Sequence, residues 1–252
     1  MSNQSKIIHN HCDETHEYYI PRDERQNLLN MDCYMMDLDG CHVDNGFSVY
    51  DSGKFLAIHI ADPTQYFSPT SNLFRIINDN ATNHYSMIPH SIISASSLST
   101  DNENGVVKDT ISVIVQLSDD YEPIGVPAVC LSVIRVFPKN FFTYDQAGVL
   151  LAKDKTKTNI FHQVSRIADC MYNNRQQLRY MDNENIKNVI DEFTIFANEM
   201  VCDYICKRIS VPKYTHFTTP ICHYLIKFIH MHDIGDNPKI PFTDEELLRE
   251  SC

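Results

Sequence analysis

Between Asp37 and Asn45 the sequence runs Asp-Leu-Asp-Gly-Cys-His-Val-Asp-Asn, so that Asp37, Asp39, His42, Asp44 and Asn45 crowd into one short segment. Carboxylate oxygens are the hard donors that Mg²⁺ takes, and a cation held this way can activate water and stabilise developing charge. An Asn oxygen can still ligate, but it brings no charge, and a His suits softer metals better than Mg²⁺. Asp37, Asp39 and Asp44 also read as solvated loop carboxylates. A second device lies near the far end of the chain. Thr219 can cap a helix, Pro220 suits its first position, and Ile221, Tyr224, Leu225, Phe228 and Ile229 form its apolar stripe. A helix start of this kind presents free N–H groups to a phosphate.

Other chemistry-bearing residues carry less. His9, His11, Cys12 and His16 lack paired finger spacing and read as part of a flexible polar tail. Cys202 and Cys206 lie four apart on an apolar helix and read as small core residues. His230 and His232 read as the surface end of the last helix. With 7 glycines in 252 residues there is little material for a phosphate-cradling loop, and none is present.

The elements that must position these residues fall into two halves. Gly46–Tyr50 alternates, Asp51-Ser52-Gly53 supplies a turn, and Lys54–Ala61 runs back, which predicts a hairpin. Val- and Ile-rich strands are expected at Ile111–Leu117 and Val129–Phe137, with Ser91–Asn104 as loop. Helical spacing then takes over. Ile160, Val164, Ile167, Ala168 and Met171 make one stripe, and Ile186, Val189, Ile190, Phe193, Ala197, Met200, Val201, Tyr204 and Ile205 make a longer one. Strands first and helices later predict an α+β domain, with a sheet from the N-terminal half packed on helices from the C-terminal half. Residues 1–30 read as a polar N-terminal extension, 31–235 as the folded domain and 236–252 as a C-terminal tail.

Composition bounds the function. The net charge of −12 and pI near 5.3 argue against an indiscriminate grip on polyphosphate, because the 21 Lys and Arg form no run. No apolar stretch is long enough to span a membrane, since Val126–Phe137 is interrupted by Arg135, and residues 1–30 contain no signal-peptide core. Nine cysteines, an odd number at irregular spacing, predict a reduced, intracellular and cytoplasmic protein with free thiols.

Two segments carry a family resemblance. Asp37–Val49, running on to His59-Ile60-Ala61-Asp62, resembles an acidic run followed by a strand ending in a His-Ile-Ala-Asp tetrapeptide. Tyr214-Thr215-His216-Phe217-Thr218-Thr219-Pro220-Ile221-Cys222-His223-Tyr224 resembles Tyr-Thr-His-Phe-Thr-Ser-Pro-Ile-Arg-Arg-Tyr. Both belong to the RNB catalytic domain of the ribonuclease II/R family of 3′→5′ exoribonucleases. Weaker matches follow in the family's order at Thr82-Asn83-His84-Tyr85, Ile88-Pro89, Phe142-Thr143-Tyr144, Glu192-Phe193 and Ala197-Asn198-Glu199. The resemblance spans residues 31 to 232 and is to a shortened, degenerate form.

The resemblance implies a site and also its erosion. It makes Asp44 and Asp37 catalytic candidates and Asp37, Asp39, His42, Asp44 and Asn45 candidate ligands for Mg²⁺ or Mn²⁺. Asp37 takes the first acidic position if one residue is deleted before Gly40. His42 and Asn45 then stand where the family has Asp, and Cys222 and His223 where it has phosphate-clamping Arg. Losing such an Arg in phosphoryl transfer costs on the order of 10³–10⁵ in rate. Tyr85, Thr219, His223 and Tyr224 are the implied RNA contacts, Tyr85 by stacking a base. The family's helical insertion between Arg208 and Val211 and its flanking OB-fold modules are expected to be missing. Three outcomes stay open: an impaired enzyme retained as an RNA-binding or interaction module, an active exoribonuclease with an altered metal site, or a docking subunit that never meets RNA. The implied partners are single-stranded RNA and a protein, with no DNA and no membrane.

Overall fold

The computed structural model describes residues 20–38, 43–66, 94–153, 159–174 and 186–209. They form a seven-stranded mixed sheet and three helices: β1 Gln26–Asn27, β2 Tyr34–Asp37, β3 Asn45–Tyr50, β4 Phe55–Ala61, β5 Val106–Leu117, β6 Pro123–Val136, β7 Phe141–Thr143, α1 Tyr144–Lys153, α2 Ile160–Asn174 and α3 Ile186–Ile209. The strand order is β1-β6-β5-β4-β3-β2-β7. From β2 to β6 the strands form an antiparallel meander, while β1 lies parallel to β6 and β7 parallel to β2. The expected α+β class, with a mixed sheet against C-terminal helices, is what the chain adopts.

Local sequence explains most of these elements. The β3–β4 turn has Asp51 and Ser52 both at positive φ (49° and 56°), and Gly53 N donates to Tyr50 O at 3.2 Å. That is the primed turn whose twist matches the flanking strands, and Asp tolerates its left-handed backbone. Helix α1 starts with a reciprocal cap: Gln146 N donates to Thr143 Oγ1 at 3.3 Å and Thr143 N to Gln146 Oε1 at 2.9 Å. Asn159 starts α2, accepting from Phe161 N at 3.0 Å, and its Nδ2 donates to Leu150 O near the end of α1 at 3.1 Å.

The core lies between the sheet and the helices. Phe47, Leu56, Ile58, Ile111, Val113 and Leu131 from the sheet meet Val164, Ile167, Val189, Phe193, Ala197 and Ile205 from α2 and α3. Burying side chains of this kind contributes roughly 1.5–3 kcal/mol each. A smaller cluster on the other face gathers Leu28, Cys33, Met35, Ala61, Leu98 and Ile134. Strand β4 is covered on both faces, so it reads as a continuous apolar run apart from His59.

His59 is fully buried on that second face. Its ring bridges Ser48 Oγ at 3.0 Å and Ser112 Oγ at 2.7 Å, and the chain of hydroxyls continues to Ser132 at 2.6 Å and on to Thr110. Burial pushes its pKa down to about 3, so the ring is neutral, donating from one nitrogen and accepting at the other.

Within residues 1–30, which read as polar, the described part from Ile20 onward enters this fold: Ile20, Arg25 and Leu28 are buried. Arg25 and Asp62 form an ion pair at 2.8 Å with both side chains inaccessible to solvent. The predicted helix at Thr219-Pro220 lies outside the described residues.

Candidate functional site

Asp37 ends β2 and Asp44 immediately precedes β3. The antiparallel register pairs Tyr34 with Phe47 and Met35 with Gly46, and continuing it places Asp37 opposite Asp44. Two carboxylates seven positions apart in sequence are thus brought to one end of the sheet. Neighbouring strands fix both. Asp37 pairs with Thr143 of β7, and Asp44 O accepts from Ala61 N of β4 at 2.8 Å. Val43 is pinned in turn, with its N–H on Ser97 Oγ at 2.9 Å and its carbonyl on Leu98 N at 2.8 Å.

The helices close over this end. Thr143 caps α1, so Asp37 sits beside the start of that helix, where its dipole favours a negative charge. Asp37 Oδ1 also accepts from Leu38 N at 2.6 Å. Asn45 Nδ2 donates to Thr194 Oγ1 on α3 at 3.3 Å, and that hydroxyl donates to Ile190 O at 2.8 Å. Tyr144, the first residue of α1, has its phenol pKa raised, first by burial and then by the negative charges of Asp37 and Asp191. The structure therefore brings Asp37 and Asp191 near Tyr144 and ties Asn45 to Thr194, with the Asp44 backbone at the same end of the sheet.

Of these, Tyr144, Asp191 and Thr194 were not singled out as site residues in the sequence. Tyr144 belongs to the Phe142-Thr143-Tyr144 match and Asp191 directly precedes Glu192-Phe193, but nothing local ties either to the acidic run. His59 and Asp62, which carry part of the resemblance, face inward and hold the fold. Asp39, His42, Tyr85, Thr219, His223 and Tyr224 lie outside the described residues.

A divalent cation of the kind the resemblance implies needs several charged oxygens. The predicted ligands that are described supply two carboxylates and one amide, with Asp191 as a further carboxylate near Tyr144; one Asp37 oxygen already accepts from backbone, and the Asn45 amide nitrogen faces Thr194. Among the described residues no three His, Cys, Asp or Glu side chains converge to hold a metal ion. These residues alone are short of the acidic set that Mg²⁺ would require.

The chain shares its fold with several solved RNB-type structures. The pseudonuclease Ssd1 of yeast aligns with a TM-score of 0.61 at 18% identity, over 74% of this chain and 27% of Ssd1. RNase R of Mycoplasma genitalium, solved with ribose-methylated single-stranded RNA, aligns with a TM-score of 0.63 at 16% identity, over 85% of this chain and 38% of that one. An active-site mutant of the Dss1 exoribonuclease from Candida glabrata aligns with a TM-score of 0.56 at 16% identity, over 77% and 33%. The chain thus spans between a quarter and two fifths of the length of these three structures. No curated protein sequence matches it. Among the described residues no helix is long and apolar enough to cross a membrane. The model of the RNB domain matches residues 25–212, most of the sequence. The chain is therefore a member of the RNB domain family.

Proposed function

We propose that this chain is a 3′→5′ exoribonuclease homologue whose hydrolytic site is impaired and which persists as a single-stranded RNA-binding or interaction module. One observation supports this most: the position after Asp44 is Asn45, and its amide is tied to Thr194 on α3. A neutral amide engaged by a helix cannot supply the charge that a carboxylate at that point would. The substitutions at His42, Cys222 and His223 act in the same direction. The pseudonuclease Ssd1, which shares the fold, gives a precedent for an RNB-type protein without nuclease function. The RNase R structure with single-stranded RNA gives one for the ligand.

The active-enzyme alternative draws on Asp37 and Asp44, which stand together at the sheet end. A binding measurement separates the readings. A retained RNA module binds oligonucleotides with a marked salt dependence, because phosphate contacts release counterions, and a chelator leaves that binding unchanged. Binding that requires Mg²⁺ or Mn²⁺ favours the active enzyme. No binding at any salt concentration favours a docking subunit.

A further inference from the structure

The 21 Lys and Arg form no run in the sequence, yet three of them meet at one end of the sheet. Arg22 and Arg25 come from the segment before β1 and Lys108 from the start of β5. Arg22 and Lys108 line a cavity of about 210 Å³ together with Asp62, Asp109, Tyr66 and Ser96.

Among the described residues the charges there do not cancel. Asp62 is neutralised by Arg25 at 2.8 Å and accepts further from Thr64 and Gln65. Arg22 grips Asp109 with two bonds, Nε to Oδ1 at 2.9 Å and Nη2 to Oδ2 at 3.0 Å. Among the described residues three cations face two carboxylates, and the Lys108 ammonium is the excess charge. Its Nζ donates to Ala95 O at 3.3 Å, a carbonyl that also accepts from Tyr66 OH at 3.1 Å. A lysine offers three donors, and this shared carbonyl is a weak match for them. Burial lowers its pKa most, the charge of Arg22 lowers it further, and Asp109 raises it.

The location adds to the case. Ala61 N donates to Asp44 O, and Asp62 N donates to Asp109 O, so the cavity lies at the same sheet end as Asp44 and two strands away. At about 4.8 Å per strand that is roughly 10 Å. The volume is below the roughly 300–1,000 Å³ of sites that enclose a whole small molecule, and it suits a single compact group.

We propose that this cavity is a phosphate-binding subsite in which one phosphate group sits against Lys108. The phosphate comes either from an RNA strand crossing the sheet end or from free phosphate. The subsite goes beyond the RNA-binding reading and does not depend on it.

The test follows amide resonances of the whole chain, isotope-labelled, during titration with inorganic phosphate at constant ionic strength. Saturable shifts confined to Ala95, Ser96, Lys108 and Asp109 are expected, with affinity about tenfold weaker in Lys108→Gln and largely kept in Lys108→Arg. Absence of saturable shifts in the unmodified protein overturns the proposal, as does equal affinity in a folded Lys108→Gln. If Lys108→Gln fails to fold, Lys108→Arg decides: the subsite requires that it retain the phosphate shifts, and their loss overturns the proposal. A second arm identifies the source. Weaker binding of a single-stranded oligonucleotide by Lys108→Gln, with the salt slope reduced by about one, assigns the subsite to a strand. Unchanged RNA affinity assigns it to free phosphate. Failure of the unmodified chain to bind RNA would sink the RNA reading and leave the phosphate result standing.

Discussion

Replacing Arg25 should unseat the N-terminal segment and destabilise the whole domain. Among the described residues Asp62 accepts from Arg25 Nη2 at 2.8 Å, Gln65 Nε2 at 2.8 Å, Thr64 N at 3.1 Å and Thr64 Oγ1, and of these the first is charged. Arg25 also donates Nη1 to Thr110 O and Ser132 O, and Nε to Ile20 O. Both side chains are inaccessible to solvent. Removing the guanidinium therefore takes a charged partner from a buried carboxylate and a donor from the Ile20, Thr110 and Ser132 carbonyls. Breaking a buried pair from one side costs about 3–5 kcal/mol. At about 2–4 °C per kcal/mol for a domain of this size, the melting temperature should fall by roughly 6–20 °C in Arg25→Met, which keeps the apolar stem. Urea and thermal melts of Arg25→Met, Asp62→Asn and the double variant form a cycle, and the double variant should lose clearly less than the sum of the singles. A loss below about 1 kcal/mol in Arg25→Met, or strictly additive singles, would refute the claim that this pair anchors residues 20–28 to the sheet.

Acid should weaken the fold through His59. Its folded pKa of about 3 lies below the ordinary 6.5. Between those values the unfolded chain binds the extra proton, so stability falls as pH drops from about 6.5 towards 3, by at most about 1.4 kcal/mol per pH unit. His59→Gln should flatten that part of the slope, and identical pH dependence in the two proteins would contradict it. Gly46→Ala should cost about 1–3 kcal/mol, because its Cβ would lie 2.7 Å from Cys33 Sγ and 3.2 Å from Tyr34 O. Adding Cys33→Ala should recover part of the loss in a urea melt, and a Gly46→Ala protein as stable as the parent would show that the close approach is not real.

Patterned elements were legible in the sequence and short ones were not. The β3–β4 hairpin announced itself through Asp51-Ser52-Gly53, and α2 and α3 through their stripes. Strands β5 and β6 begin earlier than expected because Val106–Thr110 and Pro123–Ala128 mix charges, Gly and Pro into the apolar pattern. Strands of two to four residues, β1, β2 and β7, are too short to display a period. Helix α1 buries only Ala147 fully, so it has no stripe, although Thr143 and Gln146 carried its capping signal. Arg25 looked like part of a polar tail because its partner, Asp62, comes 37 residues later.

The same distinction governs the site. Asp37, Asp44 and Asn45 could be nominated from the sequence because they are close neighbours in it. Tyr144, Asp191 and Thr194 join them only through strand pairing and the packing of α1 and α3, about 100 to 150 residues away, and no local pattern encodes that meeting.

The impaired-site reading is tested most directly by incubating the protein with 5′-labelled single-stranded RNA in Mg²⁺, in Mn²⁺ and with chelator, beside Asp44→Asn. The reading predicts no shortening under any of these conditions. Metal-dependent trimming from the 3′ end that disappears in Asp44→Asn would contradict it and make the chain an active exoribonuclease.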